Sequence, residues 1–377
     1  MEFTNNEIAT YLFCAQLTQT KTTPLTILEW NAVVKSLSDQ KMQPEALFNL
    51  TPSELLKTLT KATDAQKVKI IKKIEARQKL GISMLELKEI DHQGFRIMFR
   101  SQMPNCLKKL TQKFIPPFFY YVGDEAILLN RTLGVVGARD ANEGELSQTA
   151  EIAKEAVSNG VVIVSGGARG IDTTAVEASL ENGGKAIIFP ADGLSKWVKK
   201  SDIRNYILNG QLLLMSSQRL EAPFSGSYAM QRNKFIHAPS NAVLVASSKI
   251  SGNKSSGTWE GVLENIKHQW SPLYVLGKSE GVEKLKAEGY AKEFLSFEDV
   301  FTQKEPIDNK NHFDIDDSIV SLIKLAIDKG LDKEILEKKF LDLSAKYYKD
   351  NGDLIQNNRL KSQNTDALEQ ISIEEYL

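Results

Sequence analysis

From residue 131 onward, short apolar runs alternate with longer segments in which apolar residues recur every three or four positions. The longer segments have the period of amphipathic helices, and the runs have the length and β-branched content of strands. Because the runs are apolar throughout, we expect their strands to be buried on both faces, as in a parallel sheet between helices. The pattern therefore predicts an α/β fold, a Rossmann-like doubly wound parallel sheet. Strands are predicted at 133–138, 161–165, 185–190, 211–216, 242–247 and 272–277, and helices at 143–160, 173–182, 196–209 and 258–269.

A helical segment precedes this region. Residues 5–80 have helical periodicity, with a helix start signal at 51–54 and an end at Gly81. We predict a helical N-terminal domain over 1–80, of a SAM-like or helix-hairpin-helix type, followed by the Rossmann-like domain over 81–300. The lysine-rich faces of the first domain fit either a packing and protein-contact domain or a small nucleic-acid-binding module.

The end of the chain is polar and acidic. Residues 301–315 are rich in turn-forming residues and predict a linker. Residues 316–377 predict a small acidic helical C-terminal domain, in which two helices join at Gly330. This domain fits either a winged-helix-like fold or an acidic helical pair that contacts a protein.

Charge is distributed unevenly although the formal net charge is only −1. Residues 1–130 carry 17 basic and 13 acidic side chains, 131–280 carry 16 and 14, and 281–377 carry 14 and 21. The acidic C-terminal part therefore masks a mildly basic remainder. The cysteines, Cys14 and Cys106, have no metal-type spacing. The four histidines are scattered and form no HxxH or HxH pair, and we expect no metal and no cofactor. The opening residues are polar and the apolar runs are short, so we expect a cytoplasmic protein with no membrane partner.

A glycine-rich turn after the second predicted strand is the main chemical signal. Gly166, Gly167 and Gly170 allow close approach to the backbone, and the following helix N-terminus favours an anion. Arg169 adds a bidentate donor within the loop, while Asp172 is expected to cap the helix or to meet a ribose hydroxyl or an arginine. The glycine spacing matches neither the P-loop nor the dinucleotide fingerprint, which argues against a hydride-transfer enzyme. A tight turn that binds nothing is the alternative.

Several motifs occur in a fixed order along the central region. They are VGxR at 136–139, SGxAxGID at 165–172, GGK at 183–185, RN[RK] at 232–234 and a late SG…T turn before 258. In these motifs, residues from about 80 to 280 resemble the DNA-processing protein A (Smf) family. The chain departs from the family pattern at Val176, where the family has histidine, at Lys234, where it has arginine, and at 246–247, where it has a glutamate. The resemblance is therefore to a divergent member.

The resemblance implies a bacterial, non-enzymatic protein without catalytic residues that binds single-stranded DNA. It also implies protection of that DNA, its transfer to a RecA-type recombinase in transformation or recombination, and a homodimer. Cations for phosphates and amides for the chain are the groups that such binding needs. Carried over by motif, the residues that contact DNA or phosphate are Arg139, Ser165, Gly166, Gly167, Arg169, Gly170, Lys185, Arg232, Asn233 and Lys234. Phe235 and Tyr228 are candidates for base stacking, with core packing favoured for Phe235.

Two other functions fit the same fold. A nucleotide phosphoribohydrolase would use a PGGxGTxxE loop, but here Glu260 follows Thr258 by two residues rather than three, and no glycine pair precedes it. A regulatory protein that senses a small nucleotide would keep the pocket without the DNA, and no feature of the sequence excludes it.

Overall fold

Nine strands form one sheet in this computed structural model, which describes residues 2–18, 20–78, 80, 82–250 and 256–301. In chain order they are β1 (Arg96–Phe99), β2 (Phe118–Val122), β3 (Thr132–Val136), β4 (Val162–Ser165), β5 (Ala186–Ile188), β6 (Leu212–Ser216), β7 (Ala242–Val245), β8 (Leu273–Val275) and β9 (Lys292–Glu293). Their order across the sheet is β1-β2-β6-β5-β4-β3-β7-β8-β9. The strands from β6 to β9 in this order are parallel, while β2 is antiparallel to both β1 and β6.

The helices occupy both faces of the sheet and the N-terminal region. They are α1 (Asn5–Cys14), α2 (Ile27–Asp39), α3 (Pro52–Thr58), α4 (Asp64–Gln78), α5 (Ile82–His92), α6 (Asn105–Lys108), α7 (Glu143–Ser158), α8 (Ile171–Glu181), α9 (Leu194–Trp197), α10 (Ser201–Leu208), α11 (Gly226–Arg232), α12 (Lys234–His237), α13 (Gly257–His268), α14 (Glu280–Ala287) and α15 (Phe297–Phe301). Short 3-10 turns lie at Pro44–Phe48, Arg100–Gln102 and Glu125–Leu129. None of the described helices is long and apolar enough to cross a membrane.

The predicted doubly wound α/β fold is confirmed, and each of the six predicted strands is present with slightly shorter bounds. The single helix predicted over 196–209 is instead two helices, α9 and α10, separated by 198–200. The antiparallel pair β1 and β2 was not predicted, and neither was β9, which is only two polar residues long. The predicted linker beyond residue 301 and the C-terminal domain lie outside the described residues.

The sheet separates two hydrophobic layers, and alternate residues of each strand enter opposite layers. In β6, Leu212 and Leu214 belong to one cluster, whereas Leu213 and Met215 belong to the other. The first cluster also contains apolar residues of α1 to α5 and Phe118 and Tyr120 of β2, so the N-terminal helices share a core with the sheet. Residues 1–303 accordingly form one compact unit, and a domain boundary at residue 80 stays a prediction.

Arg77 of α4 holds the N-terminal helices together. Its side chain is fully buried, and its guanidinium donates to the carbonyls of Leu12 (2.7 Å), Ala15 (2.8 Å) and Thr22 (2.7 Å). Leu12 and Ala15 lie at the C-terminal end of α1, where carbonyls lack partners within the helix. The planar guanidinium therefore replaces several backbone partners at once, which a lysine ammonium has neither the shape nor the donor number to do.

Replacing Arg77 by methionine tests this role. Arg77→Met leaves the buried carbonyls of Leu12 and Ala15 and the part-buried carbonyl of Thr22 without this donor, so we expect the free energy of unfolding to fall by about 3 kcal/mol. Urea denaturation followed by circular dichroism measures the change. Lys69→Met, on the exposed side of the same helix, serves as the control and is expected to change stability by less than about 0.5 kcal/mol. Equal effects of the two substitutions would contradict the assigned role.

Candidate nucleic-acid interface

A cavity of about 360 Å³ opens at the carboxyl ends of the central parallel strands. Its walls come from the segment after β3, the loop after β4, helices α11 and α12, and the first turn of α13. From β3 the chain adds β4, β5 and β6 on one side of that strand and then β7 and β8 on its other side. The cavity therefore lies at the point between β3 and β7 where the order of the strands reverses. Ligands of open α/β sheets bind at such switch points.

The floor of this cavity carries a buried arginine whose donors are incompletely paired. Arg232 is only 4% exposed, and its Nε and Nη1 atoms have no hydrogen-bond partner among the residues that the structure describes. Its guanidinium lies against the glycine loop so closely that a Cβ atom at Gly166 would overlap it. Burial lowers the pKa of Arg232, and the negative charge of Asp172 is the largest influence that raises it. An arginine stays protonated even so, and a buried guanidinium with unused donors favours an anion from solution.

The glycine loop itself is organised around the carboxylate of Asp172. Burial raises the pKa of Asp172, while Arg232 and the backbone N–H groups of Ala168, Gly166 and Gly137 favour its charged form. The N–H of Ala168 donates to its Oδ2 atom over 3.4 Å. At the start of α8, the N–H groups of Ile171 and Thr173 donate to the carbonyls of Ala138 and Ala168, so these donors are already paired within the protein. Gly170 is the N-cap of α8 and no side chain caps this helix, so the prediction that Asp172 caps it is wrong. The alternative prediction, that Asp172 meets an arginine, agrees with the influence of the Arg232 charge on its pKa.

Gly170 is required by the backbone at the start of α8. Its φ of 87° lies in the left-handed region, and a Cβ there would meet the carbonyl oxygens of Ala138 (2.5 Å) and Arg139 (2.8 Å). This close approach joins the loop after β4 to the segment after β3. The two segments that carry Arg139 and Arg169 are thus held side by side.

The first turn of α13 offers the open helix N-terminus of the cavity. The hydroxyl of Ser256 accepts from the N–H of Trp259, and the amide of Asn233 donates to the carbonyl of Gly257 over 2.7 Å. The hydroxyl of Thr258 donates to the carbonyl of Gly137, which fixes the helix against β3. By helix geometry the N–H groups of Gly257 and Thr258 have no acceptor within α13, and they lie at the cavity wall.

The rim of the cavity is cationic and carries one exposed aromatic ring. Arg139 is exposed, and its guanidinium carbon lies 5.7 Å from the ring centroid of Phe224, which is 55% exposed. Lys249 forms an ion pair with Asp140. That lysine, and more weakly Arg169, lower the pKa of Asp140. A base can stack on Phe224 while its phosphate meets Arg139.

The structure brings together most, but not all, of the residues implied by the motifs. Arg139, Arg232 and Asn233 line the cavity, whereas the Gly166–Gly170 loop contributes only Ala168 to its lining. Gly166 lies behind the guanidinium of Arg232, and Arg169 is exposed and close enough to Asp140 for its charge to lower the pKa of that carboxyl. The hydroxyl of Ser165 is buried and donates to the carbonyl of Val135, so it holds β4 to β3 and is not directed to a ligand. The amide of Asn233 is engaged with Gly257 rather than open to a base.

Two of the implied cations lie elsewhere. Lys185 is exposed and precedes β5, so it lies at the amino edge of the sheet, opposite the cavity. Lys234 is turned away from the cavity, with its ammonium 4.6 Å from the ring centroid of Phe114. The two proposed stacking residues are both buried: Phe235 packs on Phe119, and the hydroxyl of Tyr228 is hydrogen-bonded to Ser217.

Other residues at the site were not found from the sequence. Phe224 is an aromatic residue in a polar, turn-rich stretch of the sequence, and this unusual position is the signal that could have identified it. His237 gave no such signal. His237 is buried in the cavity wall, and neither of its ring nitrogens has a hydrogen-bond partner among the described residues. Burial is the main cause that lowers the pKa of His237 to about 3, and the positive charge of Arg232 lowers it further.

With its doubly wound sheet, the protein is a Rossmann-like α/β protein, and a buried arginine lines the cavity at its switch point. Residues 95–305 match the family described as DNA recombination-mediator protein A. The DNA processing protein DprA of Streptococcus pneumoniae is 32% identical over 194 residues, which are 50% of this chain and 67% of that protein. The chain therefore belongs to the DNA recombination-mediator protein A family.

Two solved structures are similar to parts of this chain. The X-ray structure of DprA from Streptococcus pneumoniae matches with a TM-score of 0.61 at 23% identity, over 81% of this chain and 99% of that one. A structure that describes the single-stranded DNA binding mode of DprA from Helicobacter pylori matches with a TM-score of 0.46 at 24% identity, over 55% of this chain and 94% of that one. The first of these supports the Rossmann-type architecture described above.

His237 gives the cavity a measurable dependence on pH. The unfolded chain binds a proton at this histidine near pH 6.5, whereas the folded chain binds it only near pH 3, so acidification favours unfolding. We expect the free energy of unfolding to fall below pH 6.5, with this group contributing up to about 1.4 kcal/mol per pH unit. His237→Gln, which stays neutral, should remove that share of the slope. Urea denaturation at several pH values between 7 and 5 measures it.

The exposed His92 supplies the control for this measurement. His92→Gln should leave the slope of stability against pH unchanged. If His237→Gln and the parent protein lose stability equally between pH 7 and 5, the assignment of a neutral buried His237 is wrong.

Proposed function

We propose that this protein binds single-stranded DNA at the cavity, with a backbone phosphate on the floor and neighbouring phosphates on the rim. The observation that carries the proposal is the buried Arg232, whose Nε and Nη1 atoms have no partner and which lies within reach of the α13 N-terminus. A phosphodiester supplies the missing acceptors and one negative charge. Family membership supports DNA as the source of that phosphate.

The shape of the site favours a single strand over a duplex. Arg232 lies in a recess, so its partner phosphate must leave the smooth path of a regular double helix. An unpaired strand bends freely and also exposes its bases, one of which can stack on Phe224 next to Arg139. A duplex offers neither feature at this position.

The carboxylates around the cavity support a binding role rather than hydrolysis. Asp140 is paired with Lys249, and Asp172 is surrounded by backbone N–H groups and Arg232. Glu260, which a phosphoribohydrolase mechanism would need, is not among the described residues that line the cavity. Neither lining carboxylate is placed to activate water as a general base.

Protection of bound single strands and their transfer to a RecA-type recombinase complete the proposed role. A homodimer is part of the same proposal. These steps rest on the motif resemblance and on membership of a recombination-mediator family. The process in which we propose that the protein acts is recombination or natural transformation.

Substitution of the two cavity arginines tests the proposal. Arg139→Ala removes an exposed phosphate contact, so affinity for unrelated single-stranded sequences should fall about fivefold and the slope of log K against log salt by about 0.7. Arg232→Gln keeps a polar side chain on the floor and should weaken binding about 30-fold. Fluorescence anisotropy with single-stranded and duplex oligonucleotides at two salt concentrations measures both. Lys154→Ala, on the exposed face of α7, is the matched control.

The same titration includes a panel of mononucleotides. Saturable binding of one nucleotide, together with absent or salt-insensitive binding of single-stranded DNA, would overturn the proposal in favour of a nucleotide sensor. Tighter binding of duplex than of single strands would also contradict it.

A substitution of Lys185 distinguishes the DNA-contacting residues implied by the motifs from those that line the cavity. Because it lies at the opposite edge of the sheet from Arg139, Lys185→Ala should leave the affinity for single-stranded DNA within about twofold of the parent value. Anisotropy under the same conditions provides the measurement. A loss as large as that of Arg139→Ala would show that DNA reaches the amino edge of the sheet.

A further inference from the structure

A second group of cations and aromatic rings lies beside the cavity and is not part of it. Lys113 and Lys234 place their ammonium groups 4.8 and 4.6 Å from the ring centroid of Phe114. The rings of His268 and Trp270 lie edge-on to Phe114, at 5.1 and 5.8 Å, and stack on each other. We call these five residues the Phe114 patch.

The patch adjoins the cavity through consecutive residues. Asn233 lines the cavity and Lys234 follows it, but their side chains lie on different sides of the chain. Helix α13 connects the two places as well, because Gly257 in its first turn lines the cavity and His268 is its last residue. Twelve helical residues span about 18 Å, so the patch lies within that distance of the cavity.

The side chains of the patch are accessible enough to exchange partners. Lys113 is exposed, and Phe114, Lys234 and His268 are half-buried. Burial lowers the pKa of Lys234, while Glu264 of α13 acts in the opposite direction. A charged phosphate attracts an ammonium more strongly than a neutral ring does, so a phosphate can take the ammonium from the ring. The ring face that this exposes is then open to a base.

We propose that the Phe114 patch is a second contact surface for the same single strand, which leaves the cavity over α12 and places its next phosphates on Lys113 and Lys234. This inference rests on the proposed function. Paired cations around aromatic rings are the combination that single-strand tracks use, and an acidic peptide has no base to fill the ring surface. At about 3.4 Å per stacked nucleotide, 18 Å corresponds to about five nucleotides.

Oligonucleotide length distinguishes the two surfaces. A dinucleotide has a single bridging phosphate, which Arg232 takes in the proposed complex, whereas a twenty-nucleotide probe covers both places. We expect the double variant Lys113→Ala/Lys234→Gln to weaken the longer probe about tenfold, to lower its salt slope by about 1.4, and to leave the shorter probe within about twofold. Phe114→Leu keeps an apolar side chain against Trp270 and should weaken the longer probe about threefold.

Control variants separate this inference from the function on which it rests. Lys88→Ala/Lys154→Ala removes two exposed charges on α5 and α7 and should leave both probes unchanged. Arg232→Gln should weaken both probes. An unchanged affinity of the patch double variant for the longer probe, or an equal loss for both probes, would overturn the inference while the cavity proposal stands. No binding of either probe by the parent protein would overturn both.

Discussion

The buried opposition of Arg232 and Asp172 is the constraint on which the cavity depends. The carboxylate of Asp172 accepts from the N–H groups of Gly137, after β3, and of Gly166 and Ala168, after β4. Its negative charge offsets the positive charge of Arg232 in a region shielded from water. Each charge reduces the cost of burying the other, since desolvation of an unpaired ion costs several kcal/mol. Gly166 completes the arrangement, because only a residue without a side chain leaves room for the guanidinium.

The departures from the family pattern are accommodated by neighbouring residues. The chain has Ser247 in the region where the family has a glutamate after β7, yet a carboxylate reaches this point from α7, because Glu145 accepts from the hydroxyl of Ser247 over 2.7 Å. Glu145 also belongs to the capping box at the start of α7, so the same side chain serves both places. Val176, at the position of the family's histidine, is a buried residue of α8 and packs in the hydrophobic core.

Much of the fold was predictable, because buried parallel strands have a distinctive signature of short, wholly apolar runs between helices. The β1–β2 pair escaped prediction since its strands are joined by a long connection that ends in two prolines rather than by a hairpin turn. The motifs identified the loop and Arg232, but they did not give side-chain direction. The backbone at Asn233 is helical, so Lys234 points about 200° around the axis from Arg232 and leaves the cavity. Lys185 was misplaced for a different reason, as it precedes its strand and therefore lies at the other edge.

In the proposed complex with single-stranded DNA, the buried floor at Arg232 and the exposed rim at Arg139 have different roles. Arg232 is already stripped of water and salt ions in the folded protein, so a phosphate that reaches it displaces few counterions from the protein and meets a donor fixed in position. Arg139 and Arg169 are exposed, so in the proposed complex they would act on the strand through the surrounding salt solution. The rim, with the counterions of the DNA, would then set the dependence of affinity on salt, whereas the floor would set which phosphate of the strand is held. Such a floor fixes the register of an otherwise sequence-independent complex, because phosphate contacts position a strand without selecting its bases.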